Sequence, residues 1–339
     1  MKPVGVIANP ASGRDIRRLV ASAEAAPVSD KVSMLVRMVR ALDALGVERV
    51  VFMPDPNGIA LNVAHQLRGE LNTTTIETLA LDRPEGNFVD SIRSAECMRA
   101  MGCALIVVLG GDGTCRVVSK GCGEVPILPV SSGTNNVFPQ FVEGTLLGLA
   151  AAALTLEIVD PSFCSEQVPV LELLGRGGEV LDIALVDLAV LDTEEIGSRA
   201  VWREETIREL FLTRARPTQI GLSSIGGWLP PPEPGRGLHL ILGEEGQPVA
   251  APIAPGLIKQ VQVVSHRSLA EGEPWQIGLD RGVVALDGER EVVLVPDRPL
   301  SVRYSRSGPR VIRLERTLEE AARAGMMTAL RTTAAHCPT

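Results

Sequence analysis

A chain of 339 residues, 45% apolar and 22% charged, is long enough for roughly two domains with their own cores and has no compositional sign of disorder. Its net charge of −8 excludes the basic footprint of a phosphate-backbone binder, so no nucleic-acid partner is expected. The six cysteines form no CxxC pair and the four histidines are scattered, which argues against a zinc centre and for small buried thiols in a reducing compartment.

The first residues, MKPVGVIANP, hold an apolar run too short for a signal-peptide core, and a cytoplasmic chain is expected. PVGVIAN leads into a helical segment through Leu45, and VERVVFM into a helix near Pro56–Glu70. TTIETLAL precedes a helix near Phe88–Met101, and ALIVVLGG one near Thr114–Gly121. VPILPV passes through a polar turn into a helix over Phe138–Thr155. Its apolar stretch from Leu146 is too short to span a bilayer, so no membrane partner is expected. Strands separated by helices of this length cannot be hairpin-linked, and the rhythm predicts an open parallel sheet with helices on both faces over residues 1–157.

After about residue 160 the rhythm changes. Two apolar runs joined by Gly-Arg-Gly-Gly predict a hairpin, and a helical stretch is expected near Arg199–Arg214. PTQIGLSSIGG, LHLILGE, IKQVQVVSH, WQIGL, GVVALDGE, EVVLVP and LSVRYS then read as closely spaced strands of an antiparallel sandwich or barrel. GGWLPPPEPGRG reads as a long surface loop, with Trp228 and Leu229 as its apolar residues. A last helix is expected near Leu318–Leu330.

The carboxyl ends of parallel strands share one edge, where ligands bind. Three predicted strands end there in small polar turns: ANPASG (8–13), GGDGT (110–114) and SSGTNN (131–136). Gly110, Gly111 and Gly113 lack Cβ atoms, which lets backbone N–H groups approach phosphate oxygens, and a helix N-terminus follows. Ser12, Thr114, Ser132 and Thr134 supply hydroxyls. Asn9, Ser12, Gly13, Gly133, Asn135 and Asn136 are candidate nucleotide contacts, with turn formation the plain alternative for the asparagines. The P-loop pattern is absent, and GxGxxG fails because Arg116 stands at its third glycine. Asp112 either caps the following helix or serves chemistry, holding Mg²⁺ or accepting a proton from an attacking hydroxyl; three turns on one edge favour the chemical role.

GGDGT, NPASG and SSGTNN together resemble the superfamily of NAD kinases and diacylglycerol or sphingosine kinases. IALVDLAVL (183–191) and VALDGE (284–289) extend the likeness into the second half. GGDGTCR, SSGTNNVFP and GSRAVW are more narrowly similar to the NAD-kinase-like proteins encoded with acetoin catabolism enzymes.

The resemblance implies a nucleotide-binding α/β domain (1–157), a β-sandwich substrate domain (158–312) and a C-terminal segment (313–339) whose helix packs back on the first domain. It implies an ATP-dependent kinase with Mg²⁺, Asp112 as catalytic base or metal-linked carboxylate, a small-molecule hydroxyl acceptor such as NAD, and a homo-oligomer, dimer or tetramer. Asp187, Arg199, Asp287 and Glu289 are candidate substrate contacts, and Trp202 a candidate pocket wall. Asp187 could instead lie on a solvated strand face, Trp202 in the core, and Asp287 and Glu289 in a simple turn. Where NAD kinases carry Asn before an acidic residue, this chain has Val186 before Asp187. A non-catalytic nucleotide-binding accessory or sensor protein, or a lipid kinase, are the rival expectations.

Overall fold

A strand covered on both sides needs apolar side chains at successive positions rather than at alternate ones. VGVIA and LIVVLG meet that demand, and in the computed structural model, which describes residues 1–9, 27–133, 136–193 and 206–328, they form the central strands β1 (Val4–Ala8) and β4 (Leu105–Gly110). With β2 (Arg49–Phe52), β3 (Thr75–Thr78) and β5 (Ile127–Ser131) they make a parallel sheet of order β3-β2-β1-β4-β5. Val4, Val6 and Ala8 enter one core with α1 (Val28–Ala44), α2 (Ile59–Gln66) and α5 (Gly144–Thr155). Ile7 enters the other with α3 (Phe88–Ala100) and α4 (Asp112–Ser119). Helices therefore cover both faces, as expected.

The small residues of α5 have a steric cause. A Cβ added to Gly144 or Gly148 would stand 2.3 or 2.5 Å from the carbonyl oxygens of Met34 and Met38, so α5 lies directly against the backbone of α1. At the far end of α1, the Asp43 carboxylate accepts the backbone N–H groups of Asn72, Thr73 and Thr74 at 2.7 to 3.1 Å and fastens the approach to β3. Burial raises the affinity of this carboxyl for its proton, but the three N–H donors outweigh it and hold the group below its ordinary pKa.

After α6 (Pro161–Cys164) and β6 (Ser165–Gln167) come β7 (Val170–Leu174), β8 (Val180–Ala184), β9 (Asp187–Leu191), β10 (Ile207–Leu212) and the short helix α7 (Ser223–Gly227). The strands β11 (Gly237–Ala254), β12 (Leu257–Leu269), β13 (Pro274–Gln276), β14 (Gly282–Leu286), β15 (Glu289–Leu294) and β16 (Ser301–Ser305) follow. Two antiparallel sheets result, β12-β11-β10-β9-β14-β15 and β13-β16-β7-β8. Leu188, Val190 and Phe211 of the first pack with Leu171, Leu173 and Val302 of the second, which makes the expected sandwich.

The chain then returns. β17 (Arg310–Ile312) pairs in parallel with β5, β6 pairs antiparallel with β17, and α8 (Leu314–Arg323) packs on α5 and α6. The last helix thus rejoins the first sheet, starting earlier than Leu318; residues 329–330 lie outside the described residues.

Several local expectations are corrected. Of the predicted helix at 199–214, residues 199–205 lie outside the described residues and Ile207–Leu212 is the strand β10. It runs between β9 and β11 with Leu210 and Leu212 in one core and Phe211 in the other, so burial on both faces leaves the apolar stretch Leu210–Leu212 without the alternation that marks a strand. PTQIGLSSIGG is no strand: it folds into a turn and α7, where Gly226 and Gly227 allow close packing on Leu212 and on the carbonyl of Arg216. The run 179–193 is two strands, β8 and β9, in different sheets. The helix expected from Phe138 begins only at Gly144, where the Glu143 carboxylate accepts the N–H groups of Thr145 and Leu146.

Candidate functional site at the sheet's topological switch point

Chain order reverses between β1 and β4, and a crevice opens at the carboxyl ends of such a strand pair. Asn9 and Gly110–Gly113 sit there. The Asn9 N–H donates to the Leu109 carbonyl at 3.1 Å, and its side-chain amide donates to Thr114 Oγ1 at 2.9 Å. Lys31 of α1, only 2% exposed, donates from Nζ to the Asn9 carbonyl at 2.9 Å and brings a cation beneath the rim.

The glycines do something other than leave room for a ligand. A Cβ on Gly110 would stand 2.5 Å from Thr114 Cβ, and one on Gly111 would stand 2.8 Å from Asn136 Oδ1. Side chains of the rim itself occupy that space and lock the turns together. The Asn136 amide donates to Ser131 Oγ at 2.7 Å, and the Ser132 N–H to the Gly110 carbonyl at 3.4 Å. Ser132 and Thr114 are buried, while Gly111, Asp112, Gly113, Gly133 and Asn136 are half-buried.

Asp112 is the first residue of α4, whose N-cap is Gly111 and has no side-chain cap, so the capping alternative is not what this carboxylate does. It accepts the backbone N–H of Phe138 at 2.8 Å and that of Val137 at 3.1 and 3.2 Å. A half-exposed carboxylate is thereby fixed between two of the three polar turns. Ser12, Gly13, Thr134, Asn135, Arg199, Trp202 and the Glu289 side chain lie outside the described residues.

Behind Asp112, α4 of the parallel sheet meets the antiparallel sheets in an ionic network centred on the buried Arg116. Arg116 of α4, 2% exposed, reaches Asp182 at 3.1 Å and has its Nε 3.9 Å from Asp287; Lys120 reaches Asp182 at 2.6 Å. Asp287 is no simple turn former. At φ +50° it turns its buried carboxylate onto the N–H groups of Leu185, Val186 and Asp187, at 2.8 to 3.3 Å, and so grips the link from β8 to β9. Burial pushes this carboxyl up, against the pull of Arg116 and the three N–H donors. Asp187 is 8% exposed, which rules out the solvated strand face. Val186 is fully buried and packs with Cys115 and Phe138 in the core on the α3–α4 face of the parallel sheet. Burial pushes the Cys115 thiol well above its ordinary range, with Asp112 and Asp287 adding to the shift.

Sequence reasoning missed Lys31, Asp182 and Arg214, and saw Arg116 only as a missing glycine. A lone lysine in an apolar helical run, in a chain with only four lysines, was the available signal for Lys31. Arg214 follows β10 and lies over the Phe138 ring at 5.5 Å. The apolar pair in the proline-rich loop is not an exposed patch, because Leu229 is 6% exposed beside a 56% exposed Trp228. A depression of about 710 Å³, lined by Met1, Lys2, Arg49, Met101 and Glu157, opens at the opposite, amino-terminal edge of the sheet, away from these groups.

Among the described residues no three His, Cys, Asp or Glu side chains converge as a metal cage. A single carboxylate nevertheless has donor chemistry that suits Mg²⁺, which commonly takes one or two carboxylates and the substrate's own phosphates. No helix among the described residues is long and apolar enough to cross a membrane.

Residues 4–157 match the family described as the ATP-NAD kinase N-terminal domain, and residues 170–307 that described as the acetoin catabolism protein X C-terminal domain. The chain is 39% identical over 338 residues to acetoin catabolism protein X of Cupriavidus necator, with 96% of this chain and 94% of the relative covered. Yeast NADH kinase, solved with NADH, aligns over 100% of this chain and 90% of its own at 14% identity, with a TM-score of 0.46. With nearly its whole length shared at that level with the bacterial relative, the chain belongs to the acetoin catabolism protein X family, whose first domain is NAD-kinase-like.

Proposed function

We propose that this chain is an ATP-dependent phosphotransferase acting on the hydroxyl of a small molecule, with Asp112 as its central group. The observation that carries this reading is the Asp112 carboxylate, half-exposed at the switch point and clamped by Val137 and Phe138. Phosphoryl transfer asks mainly for positioning and charge neutralisation, and a carboxylate beside a phosphate loop is useful only if it meets a cation or a hydroxyl proton. Gly110–Gly113, Thr114, Ser132, Gly133, Asn136 and Asn9 form the nucleotide side of the site, with Ser12, Gly13, Thr134 and Asn135 assigned to the same role from sequence. Asp112 would hold the Mg²⁺ that accompanies the triphosphate, an ion that neutralises charge developing on the phosphates. Asp187 belongs to the substrate side, with Arg199 and Glu289 assigned there from sequence; Asp287, expected there too, has its carboxylate buried against Leu185, Val186 and Asp187 and holds the β8–β9 link instead of touching substrate. We propose the division 1–157, 158–312 and 313–339 for its domains, a cytoplasmic location and a homo-oligomeric state.

NAD is one candidate acceptor. The fully buried Val186 cannot supply the polar contact that an asparagine would, which favours a second reading as a nucleotide-binding accessory protein. Both are tested by incubating the purified chain with labelled ATP, Mg²⁺, NAD and a panel of hydroxyl metabolites. Asp112→Asn keeps one acceptor oxygen for Phe138 and should bind ATP within about threefold of the parent while losing turnover by a factor of roughly 100 or more. Equal transfer by both proteins removes Asp112 from the chemistry. ATP binding by the parent without transfer to any acceptor leaves the accessory reading.

A further inference from the structure

Arg214 leaves the end of β10 and places its guanidinium over the Phe138 ring, whose own backbone N–H is bonded to Asp112. Among the described residues no carboxylate lies within ion-pair distance of it and no hydrogen bond takes its N–H groups. Two further guanidiniums, those of Arg216 and Arg313, and two carboxylates, those of Asp112 and Glu166, act on it from beyond contact. Arg216 is exposed two positions on, and Arg313, at the N-cap of α8, is already paired with Glu166 of β6. Burial, then Arg313 and Arg216, lower the hold of Arg214 on its proton, against the pull of Asp112 and Glu166.

A largely desolvated guanidinium without a counter-ion is costly to the fold unless something completes it. Its planar fork of donors matches two oxygens of one phosphate. The side of Asp112 from which it approaches is set by topology. Gly110–Gly113 and Asn9 belong to the first domain, whereas Arg214 and Arg216 come from the second, across Phe138. A donor triphosphate cradled on the glycine side leaves this opposite side for the molecule whose hydroxyl is attacked.

We infer that Arg214, flanked by Arg216 and Arg313, is a phosphate-binding subsite for the acceptor, which is therefore a hydroxyl compound that already carries a phosphate or diphosphate group; this rests on the phosphotransferase reading above. The guanidinium orients the acceptor by its existing phosphate and turns its free hydroxyl toward Asp112. It takes no part in bond making.

The test uses the full chain and inorganic pyrophosphate as probe, titrated calorimetrically with and without a saturating non-hydrolysable ATP analogue. The parent should bind pyrophosphate with the analogue present, and Arg214→Gln should weaken that binding roughly tenfold or more while changing analogue affinity less than about twofold. Arg214→Lys keeps the charge without the fork and should recover part of the loss, and circular dichroism confirms that both variants fold. Failure of the parent to bind pyrophosphate, displacement of pyrophosphate by the analogue, or unchanged binding by Arg214→Gln would each overturn the inference. If the analogue does not bind the parent, the phosphotransferase reading falls; the nucleotide-free titration still decides whether Arg214 is an anion site.

Discussion

Replacing Asp287 by alanine should loosen the link from β8 to β9 and weaken its hold on Arg116 of α4. The carboxylate accepts three buried N–H groups, from Leu185, Val186 and Asp187, and at 7% exposure little water can replace it. Each buried donor left unsatisfied costs about 1–3 kcal/mol, and stranding part of the charge of Arg116 adds to this. Asp182, still 3.1 Å from Arg116, limits the second loss. Alanine also tolerates φ +50° less well than aspartate, which adds a smaller penalty. Taking the lower end for the three donors, about 3 kcal/mol, the sum is about 4 kcal/mol, a large part of the roughly 5–15 kcal/mol that keeps a protein folded. Asp287→Asn retains one acceptor oxygen and the backbone tolerance, and should lose only about 2 kcal/mol. Urea titration at pH 7, followed by far-ultraviolet circular dichroism, reads both, and with a slope near 3 kcal/mol/M the alanine variant's midpoint falls by about 1.3 M. A loss below about 1 kcal/mol for alanine, or equal losses for the two variants, would refute the role given to the carboxylate.

Two further perturbations test the framework beneath the site. Asp43→Asn should cost about 1–2 kcal/mol at pH 7, because the carboxylate serves three N–H donors. Its folded pKa lies below the ordinary 3.8, so the charged group's contribution is present above that value and lost as pH falls through the lower folded one. Urea midpoints of parent and variant should therefore converge as pH falls below the ordinary 3.8, and a constant gap would refute the charge argument. Gly148→Val would press a Cβ to within 2.5 Å of the Met38 carbonyl and 2.7 Å of Ala41 Cβ, neither of which can rotate away. It should lower stability by about 3 kcal/mol, read as a lower thermal midpoint, and a variant as stable as the parent would show that α5 can lift off α1 without penalty.

The rim was legible because its logic is local. A short β-branched run ending in small polar residues marks a strand's carboxyl end, and the parallel crossovers gather such ends on one edge without any knowledge of packing. Asn9, Gly110–Thr114 and Ser131–Asn136 were reachable in that way. What filled the missing Cβ positions was not: that Thr114 and Asn136 occupy them depends on how the turns close on one another. Nor were partnerships between residues remote in the chain. Arg116 meets Asp182 from 66 positions away, and Asp287 meets Leu185 from 102, distances at which no periodicity or spacing carries information. β10 was misread for a related reason, since the acidic and basic residues just before IRELFL suggest a helix surface while both faces of the strand are buried by neighbours remote in sequence.

The parallel pairing of Val311 with Ile127 has a consequence for how the molecule is made. A ribosome that has delivered the glycine turn, Asp112 and all five strands of the opening sheet still leaves β5 as an open margin, with its backbone donors and acceptors unanswered and the apolar flank of α5 bare. Nearly the whole remaining chain must be synthesised before its tail can seal that margin. Nascent and truncated forms should therefore be the sticky ones, and a tag or cut near Arg310 should harm yield more than its distance from the chemistry suggests.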